Sequence, residues 1–367
     1  LPISVAREAD ANVVISACID QAMVTACWVA ERLGLPAPFG YQTALDVTNK
    51  ANMKAIMSAN RIPTSRYCVV TRGQAQSASG LDMPVVIKPV EGSGSLGITT
   101  ASTASELDAR VLELFGESDV HAVVIEEFKQ GTEIQIDSVV RDGCAHTVLA
   151  REKYKARPGL KAGMQSVGSI APVDLAEITW EKFQRIQDGI VEAFGLENTP
   201  LLLQAIVDDR GEITVLEFSP RVGGGVSCQL LEAAAGFDPL AAVIDSYLGR
   251  PITLPHNPVH GYFATHIIHG MKGVLGEIRG ADQLIASGII ESFFPLKAPG
   301  ASLDGRLTSR GRIGVVTVRA ESRAGAIQRI EEAIERIDVL DTDGASIMRQ
   351  DVFDAAMLLA AKPAAGL

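Results

Sequence analysis

The stretch Val85-Val86-Ile87-Lys88-Pro89-Val90-Glu91-Gly92-Ser93-Gly94-Ser95-Leu96-Gly97-Ile98 constrains the fold more than any other part of the chain. An apolar β-type run ends in a lysine. A loop of Gly and Ser follows, and Ile98-Thr99-Thr100 resumes strand-like chemistry. Two readings satisfy this pattern. One is a plain hairpin whose glycines make the turn. In the other, the glycines let backbone N–H groups crowd into a nest that suits phosphate oxygens, and Lys88 reaches the same anion as a point charge. A Walker A loop is excluded, because no Gly-Lys-Ser/Thr closes the run and a strand, not a helix, follows.

The flanking segments predict mixed α/β and α+β structure. Residues 12–16 read as a short buried strand and 21–33 as an amphipathic helix stopped by Gly34, the last unit of an open α/β domain. Residues 48–59 read as a helix with Lys50 in its first turn. A lysine there gains nothing from the helix dipole, so it is either solvated or aimed at a bound phosphate. Residues 66–71 predict a strand, 72–81 a surface loop, 102–114 a helix and 122–125 a fully apolar, central strand. That strand runs into Glu126-Glu127-Phe128. Gly131-Thr132-Glu133 then leads into a strand over 134–140, with a turn at Asp142-Gly143 and a return strand over 145–151. Arg151, Lys153, Lys155, Arg157 and Lys161 form the densest basic segment, with Pro158 and Gly159 in its middle; it is a solvated loop or it meets an anionic substrate. A helix over 180–193 precedes a hairpin of strands 201–207 and 213–218, and 229–247 is mostly helical. Beyond Gly249-Arg250-Pro251, strands over 262–268, 273–279, 289–294 and 313–320 and helices over 281–286 and 322–337 predict a small α+β module. Residues 358–367 read as a weakly ordered tail.

The chain is 367 residues long with a net charge of −11, which argues against nucleic acid as a main partner, because phosphate backbones need a basic face. Five scattered cysteines without a CxxC predict free, mostly buried thiols in a reducing, cytoplasmic setting. No apolar run reaches bilayer-spanning length, so no membrane partner is expected. The chain enters in mid-pattern at Leu1, and an N-terminal piece is expected to precede it. Glu217 at a strand end, Gln204 on the partner strand and Ser219 offer oxygen ligands to a hard cation such as Mg²⁺. Arg221 could pair with a phosphate or a carboxylate. His266 and His269 read as structural, and the absence of a Gly-x-Ser-x-Gly elbow disfavours nucleophilic hydrolysis.

Taken in order, Lys50, Val86-Ile87-Lys88-Pro89 with its Gly/Ser loop, Glu126-Glu127-Phe128, Gly131-Thr132-Glu133, Gln204, and Glu217-Phe218-Ser219-Pro220-Arg221-Val222-Gly223-Gly224-Gly225 resemble the ATP-grasp superfamily over about residues 10–245. The resemblance implies two α+β subdomains clasping ATP. Residues 1–47 would be the end of a Rossmann-like pre-ATP-grasp unit, 48–130 and 131–250 the two subdomains, and 251–367 a module similar to that of L-amino-acid ligases. It implies that Lys50, Lys88, Ser93, Gly94, Ser95 and Gly97 contact the ATP phosphates, that Glu126, Glu127 and Phe128 hold adenine largely through backbone groups, and that Glu133 binds the ribose. Gln204, Glu217 and Ser219 would hold Mg²⁺, with Mn²⁺ as an alternative. Arg221 and Lys88 would be catalytic. Arg151, Lys153, Arg157, Arg221 and Gly224 would face the substrates. Two departures stand out: glutamine at the first metal position, as in the carbamoyl-phosphate-synthase-like branch, and Ser219 in place of the usual asparagine. The implied activity is an ATP-dependent carboxylate–amine ligase acting through an acyl phosphate, with small carboxylate and amine substrates, expected to be amino acids, and the resemblance admits a homodimer. The alternatives are carboxyphosphate chemistry and a catalytically silent ATP-binding regulator.

Overall fold

The apolar runs assemble into three antiparallel sheets in the computed structural model, which describes residues 1–73, 80–92, 97–117, 119–160, 164–255 and 259–360. Strands β1 (Tyr67–Thr71), β2 (Val85–Pro89), β3 (Thr99–Ala101) and β4 (Ala122–Glu127) form a four-stranded sheet in the order β1-β4-β2-β3. The run Val123-Val124-Ile125 is fully buried because β4 is central. The helix Ala104–Gly116 covers one face, packing Leu107 and Leu114 against Val85, Ile87 and Ile125. It starts with a capping box. Thr103 Oγ1 accepts the Glu106 N–H, and the Glu106 carboxylate accepts the Ser102 N–H.

The remaining strands are β5 (Thr132–Arg141), β6 (Cys144–Lys155), β7 (Ser166–Ala171), β8 (Thr199–Val207), β9 (Ile213–Ser219), β10 (Tyr262–His269), β11 (Lys272–Arg279), β12 (Ser292–Pro295), β13 (Ser302–Asp304), β14 (Arg312–Ala320) and β15 (Asp338–Asp341). Eight of them make one sheet in the order β12-β14-β10-β7-β6-β5-β8-β9, and β13-β11-β15 form a small third sheet. Three strands beyond residue 250, β10, β12 and β14, therefore continue the large sheet, through the pairing of β10 with β7. Strand alternation divides the faces. Ile134 and Ile136 of β5 join Phe183, Ile190 and Phe194 of the helix Glu177–Phe194 in the largest core cluster. Glu133, Gln135 and Asp137 point the other way.

Several expectations are corrected. Residues 12–16 make no strand; without a ladder partner among the described residues, Val13 and Val14 pack into the cluster around Leu231, Val243 and Tyr247. The helix expected over 48–59 runs from Lys50 to Ala59, and a further helix, Tyr41–Thr48, precedes it. Asn49 separates them, its side-chain oxygen accepting the N–H groups of Ala51 and Asn52. The basic segment is not a loop as far as Lys155. It lies on β6, so Arg151, Lys153 and Lys155 alternate onto one face. Leu358 is buried in a closing helix, Ala355–Ala360, and 361–367 lie outside the described residues. All five cysteines are free, but only Cys27 is buried. His266 and His269 are both buried. Burial pushes them down to about 3 and about 4, so both are neutral at ordinary pH, as suits structural side chains. Among the described residues no helix is long and apolar enough to cross a membrane.

Candidate active site

The antiparallel register lays four polar side chains in one row across four strands. Arg151 on β6 stands opposite Gln135 on β5, Gln135 opposite Gln204 on β8, and Gln204 opposite Glu217 on β9. A second row joins Glu133, Lys153, Ser169 and Thr265. Residues paired across a ladder share a face, and both rows line a cleft of about 360 Å³. Lys50, Gly92, Asp20, Arg221 and Gly224 also line it.

Most charges in the cleft are already paired. Arg151 Nη2 meets Asp137 Oδ2 at 2.9 Å and donates to Ser227 Oγ at 2.8 Å. Glu133 accepts Lys155 and stands 3.6 Å from Lys153 Nζ. Arg221 grips Asp20 with two bonds, Nε to Oδ1 at 2.6 Å and Nη2 to Oδ2 at 2.7 Å, while Ser219 Oγ donates to the same Oδ1 at 2.8 Å. Burial works to raise the Asp20 carboxyl, but Arg221 outweighs it and the group lies below the usual range. Lys50 Nζ donates to the Gly92 carbonyl oxygen at 2.7 Å, tying the helix start to the loop after Lys88. Burial pushes Lys50 and Lys153 below the usual lysine value, while the field of Glu217 works to raise both. Among the acids lining the cleft, Glu217 is the exception. Among the described residues no cation lies within ion-pair distance of it, though Lys50, Lys153 and Arg221 all feel its charge.

A second ionic cluster, of Lys54, Glu126 and Lys88, lies outside the residues that line the cleft. Glu126 is 2 % exposed and bridges two lysines at 2.9 Å each, Lys54 through Oε2 and Lys88 through Oε1. Ser65 Oγ donates to Glu126 at 2.6 Å. Burial acts to raise the Glu126 carboxyl, but the two lysines prevail and hold it at about 2.

Of the residues named from sequence, Lys50, Glu133, Arg151, Lys153, Gln204, Glu217, Ser219, Arg221 and Gly224 come together around one cleft. Others do not. Glu126 faces Lys54 and Lys88 rather than the cleft, because two buried ammonium groups need its charge. Glu127 is held by Arg66 and Lys129. The N–H groups of Glu127 and Phe128 are spent on the carbonyls of Arg66 and Pro84, both at 3.0 Å. Arg157 is turned away, its Nε on Asp354 at 3.1 Å, and it lines no part of the cleft. Gly97 has φ +72°, a conformation natural to glycine. Ser93, Gly94 and Ser95 lie outside the described residues. Sequence reasoning missed Asp20, Lys54, Gln135 and Asp137. The last two carried a usable signal, since they alternate with Ile134 and Ile136 on one strand.

Among the described residues no three His, Cys, Asp or Glu side chains gather into a metal cluster. A cation at Glu217 would be held by one carboxylate and the facing Gln204 amide, leaving positions for water and phosphate oxygens. That donor set fits Mg²⁺, whereas Ser219 is already engaged by Asp20.

Known proteins supply the frame for this geometry. Residues 81–229 match an ATP-grasp domain and residues 266–340 an L-amino acid ligase C-terminal domain 2. The chain is 22% identical over 270 residues to the L-arginine-specific L-amino acid ligase of Bacillus subtilis, covering 72% of this chain and 64% of that one. It is 25% identical over 320 residues to the uncharacterized protein y4rH of Sinorhizobium fredii, covering 84% and 64%. The chain thus spans 64% of the length of each of these curated relatives. Its fold is similar to the crystal structure of the L-amino acid ligase from Bacillus licheniformis, with a TM-score of 0.78 at 20% identity over 93% of this chain and 83% of that one. The chain has the ATP-grasp fold, with a match to an ATP-grasp domain over residues 81–229 followed by a match to an L-amino acid ligase C-terminal domain 2 over residues 266–340.

Proposed function

We propose that this chain is an ATP-dependent carboxylate–amine ligase that forms an amide or peptide bond through an acyl phosphate and releases ADP and phosphate. One observation carries the reading: a Glu217 carboxylate with no ion-pair partner among the described residues stands in the cleft, faced by Gln204 and within the field of Lys50, Lys153 and Arg221. A carboxylate ringed by cations, in a fold that binds ATP, suits a metal–triphosphate complex whose excess negative charge the cations take up. Glu217 and Gln204 would hold Mg²⁺, which neutralises charge on the phosphoryl oxygens when bound.

The chain's own residues then have distinct tasks. Lys50, at the start of its helix, and the glycine loop it holds through Gly92 would bind the phosphates. Lys88 would be presented to them from β2, steadied by Glu126. Glu133, set between Lys153 and Lys155, would accept the ribose hydroxyls. In the first step a substrate carboxylate oxygen attacks the γ-phosphorus and ADP leaves. In the second the amine nitrogen attacks the acyl carbon, phosphate departs with its electron pair, and the amine proton is lost to solvent. Arg221 would hold the acyl phosphate. Asp20 occupies its guanidinium bidentately, as a substrate carboxylate would, and so pre-orients it.

The test is ADP release across all pairs of amino acids. Release that requires both an acid and an amine supports the reading. AMP and pyrophosphate, or bicarbonate-dependent release with no organic acid, would count against it. Arg221→Ala should leave ATP affinity within about threefold of native while amide formation falls about 100-fold or more. Calorimetry and product quantification check this, and unchanged amide formation would remove Arg221 from the mechanism.

A further inference from the structure

One cation on the C-terminal wall of the cleft has no task in this chemistry. Arg312 opens β14 opposite His269 of β10, and it lines the cleft together with Thr265, Ile267, Leu296 and Val315. Its Nη2 donates to the amide oxygen of Gln165 at 3.3 Å, and its Nε is buried without a hydrogen-bond partner. The other two guanidiniums of the cleft are neutralised, Arg151 by Asp137 and Arg221 by Asp20. Nearby Arg349 keeps Asp351 for itself, at 2.6 Å. Among the described residues no carboxylate lies within ion-pair distance of Arg312, and burial alone pulls its guanidinium below the usual value.

A neutral amide oxygen satisfies one N–H of a guanidinium but does not neutralise it. Keeping an unpaired, partly buried charge is costly unless an anion arrives to meet it. The planar fork matches a carboxylate with two parallel bonds. A lone guanidinium flanked by Ile267, Leu296 and Val315 suits a carboxylate on an aliphatic body better than a phosphate, which favours several cations or a nest of backbone N–H groups.

We propose that Arg312 is the specificity-determining residue that anchors the non-reacting carboxylate of an amino acid acceptor. This rests on the ligase reading and adds a substrate-binding residue to the same cleft. The carboxylate held is the α-carboxylate or, in an acidic acceptor, that of the side chain.

Calorimetry on the full chain saturated with MgADP tests it, with each of the twenty L-amino acids and the α-carboxamide of each as probes. At least one amino acid should bind, and its carboxamide should bind about 100-fold more weakly. Arg312→Gln should weaken the amino acid to the level of its carboxamide and leave the carboxamide unchanged. Arg312→Lys should recover part of the loss. Where an acidic carboxamide keeps its affinity in the native chain and loses it in Arg312→Gln, the side-chain carboxylate is the group held. Equal binding of acid and carboxamide, no binding of any amino acid, or full affinity in Arg312→Gln overturns the proposal. So does a loss of ADP affinity in both variants, which would assign Arg312 to the nucleotide. Amino acid binding lost in Arg312→Gln but never followed by ADP release from ATP would instead end the ligase reading and leave the carboxylate site standing.

Discussion

Glu217→Ala should lower ADP release by about 10³-fold, the scale of removing a group that stabilises developing charge in a water-poor site. The argument is electrostatic. Glu217 is the cleft's acid without an ion pair among the described residues, and Lys50, Lys153 and Arg221 each respond to its charge. Removing it takes away the one negative side chain that can place a divalent cation opposite Gln204. It also removes the negative charge that acts on Lys50, Lys153 and Arg221. Glu217→Gln separates the two effects, because it keeps the shape of the side chain and removes only the charge. Both variants should therefore lose turnover, and both should need far more Mg²⁺ to reach what remains. Gln204→Ala should cost less, since an amide contributes a dipole rather than a charge. Initial rates of ADP release against Mg²⁺ concentration decide the matter. A Glu217→Gln protein with native turnover at native Mg²⁺ would show that the cation is held elsewhere.

The path from sequence to this site was uneven for physical reasons. Strand alternation and the Gly/Ser run after Lys88 were legible because they are local. So were Glu217 and Gln204, which lie on adjacent strands of one hairpin. Arg221 was found, but its partner was not: Asp20 lies 201 positions away and reaches it only through the fold. Lys54 was invisible for a related reason. On a helix rich in Met and Ala it reads as one more solvated lysine, and only the packing of that helix shows it to be 1 % exposed beside Glu126. The basic segment was ambiguous because a run of charge is usually a solvated loop, here with Pro158 and Gly159 in its middle. The β5–β6 ladder carries the strand to Lys153 and the β6–β7 ladder carries it on to Lys155, which turns a run of charge into one face of a cleft. Arg157, past the end of that strand, escapes the alternation and pairs with Asp354 instead.

Glu126→Gln should cost about 4 kcal/mol of stability at neutral pH, because it leaves two buried lysines without their acid. The pH dependence gives the sign. The Glu126 carboxyl titrates at about 2 in the folded chain, below its unfolded value near 4.5. A depressed carboxylate contributes its full stabilisation above the unfolded value and loses it as the pH falls toward the folded one. The native protein should therefore lose this contribution between about pH 4.5 and about pH 2, while Glu126→Gln, lacking the group, should not. The stability gap between the two should be widest near neutrality and should narrow through that acid window. On the alkaline side the variant should recover. Burial already pushes Lys54 below the usual lysine value, and the attraction of Glu126 is the largest influence opposing that shift. With the acid gone, the folded chain releases the Lys54 proton more readily than the unfolded chain, so stability rises with pH. Urea denaturation of both proteins from pH 2 to pH 10 measures the gap. A gap that stays constant across that range would mean that Glu126 acts through packing and not through charge. A gap that narrows at both ends identifies it as the counter-ion shared by Lys54 and Lys88.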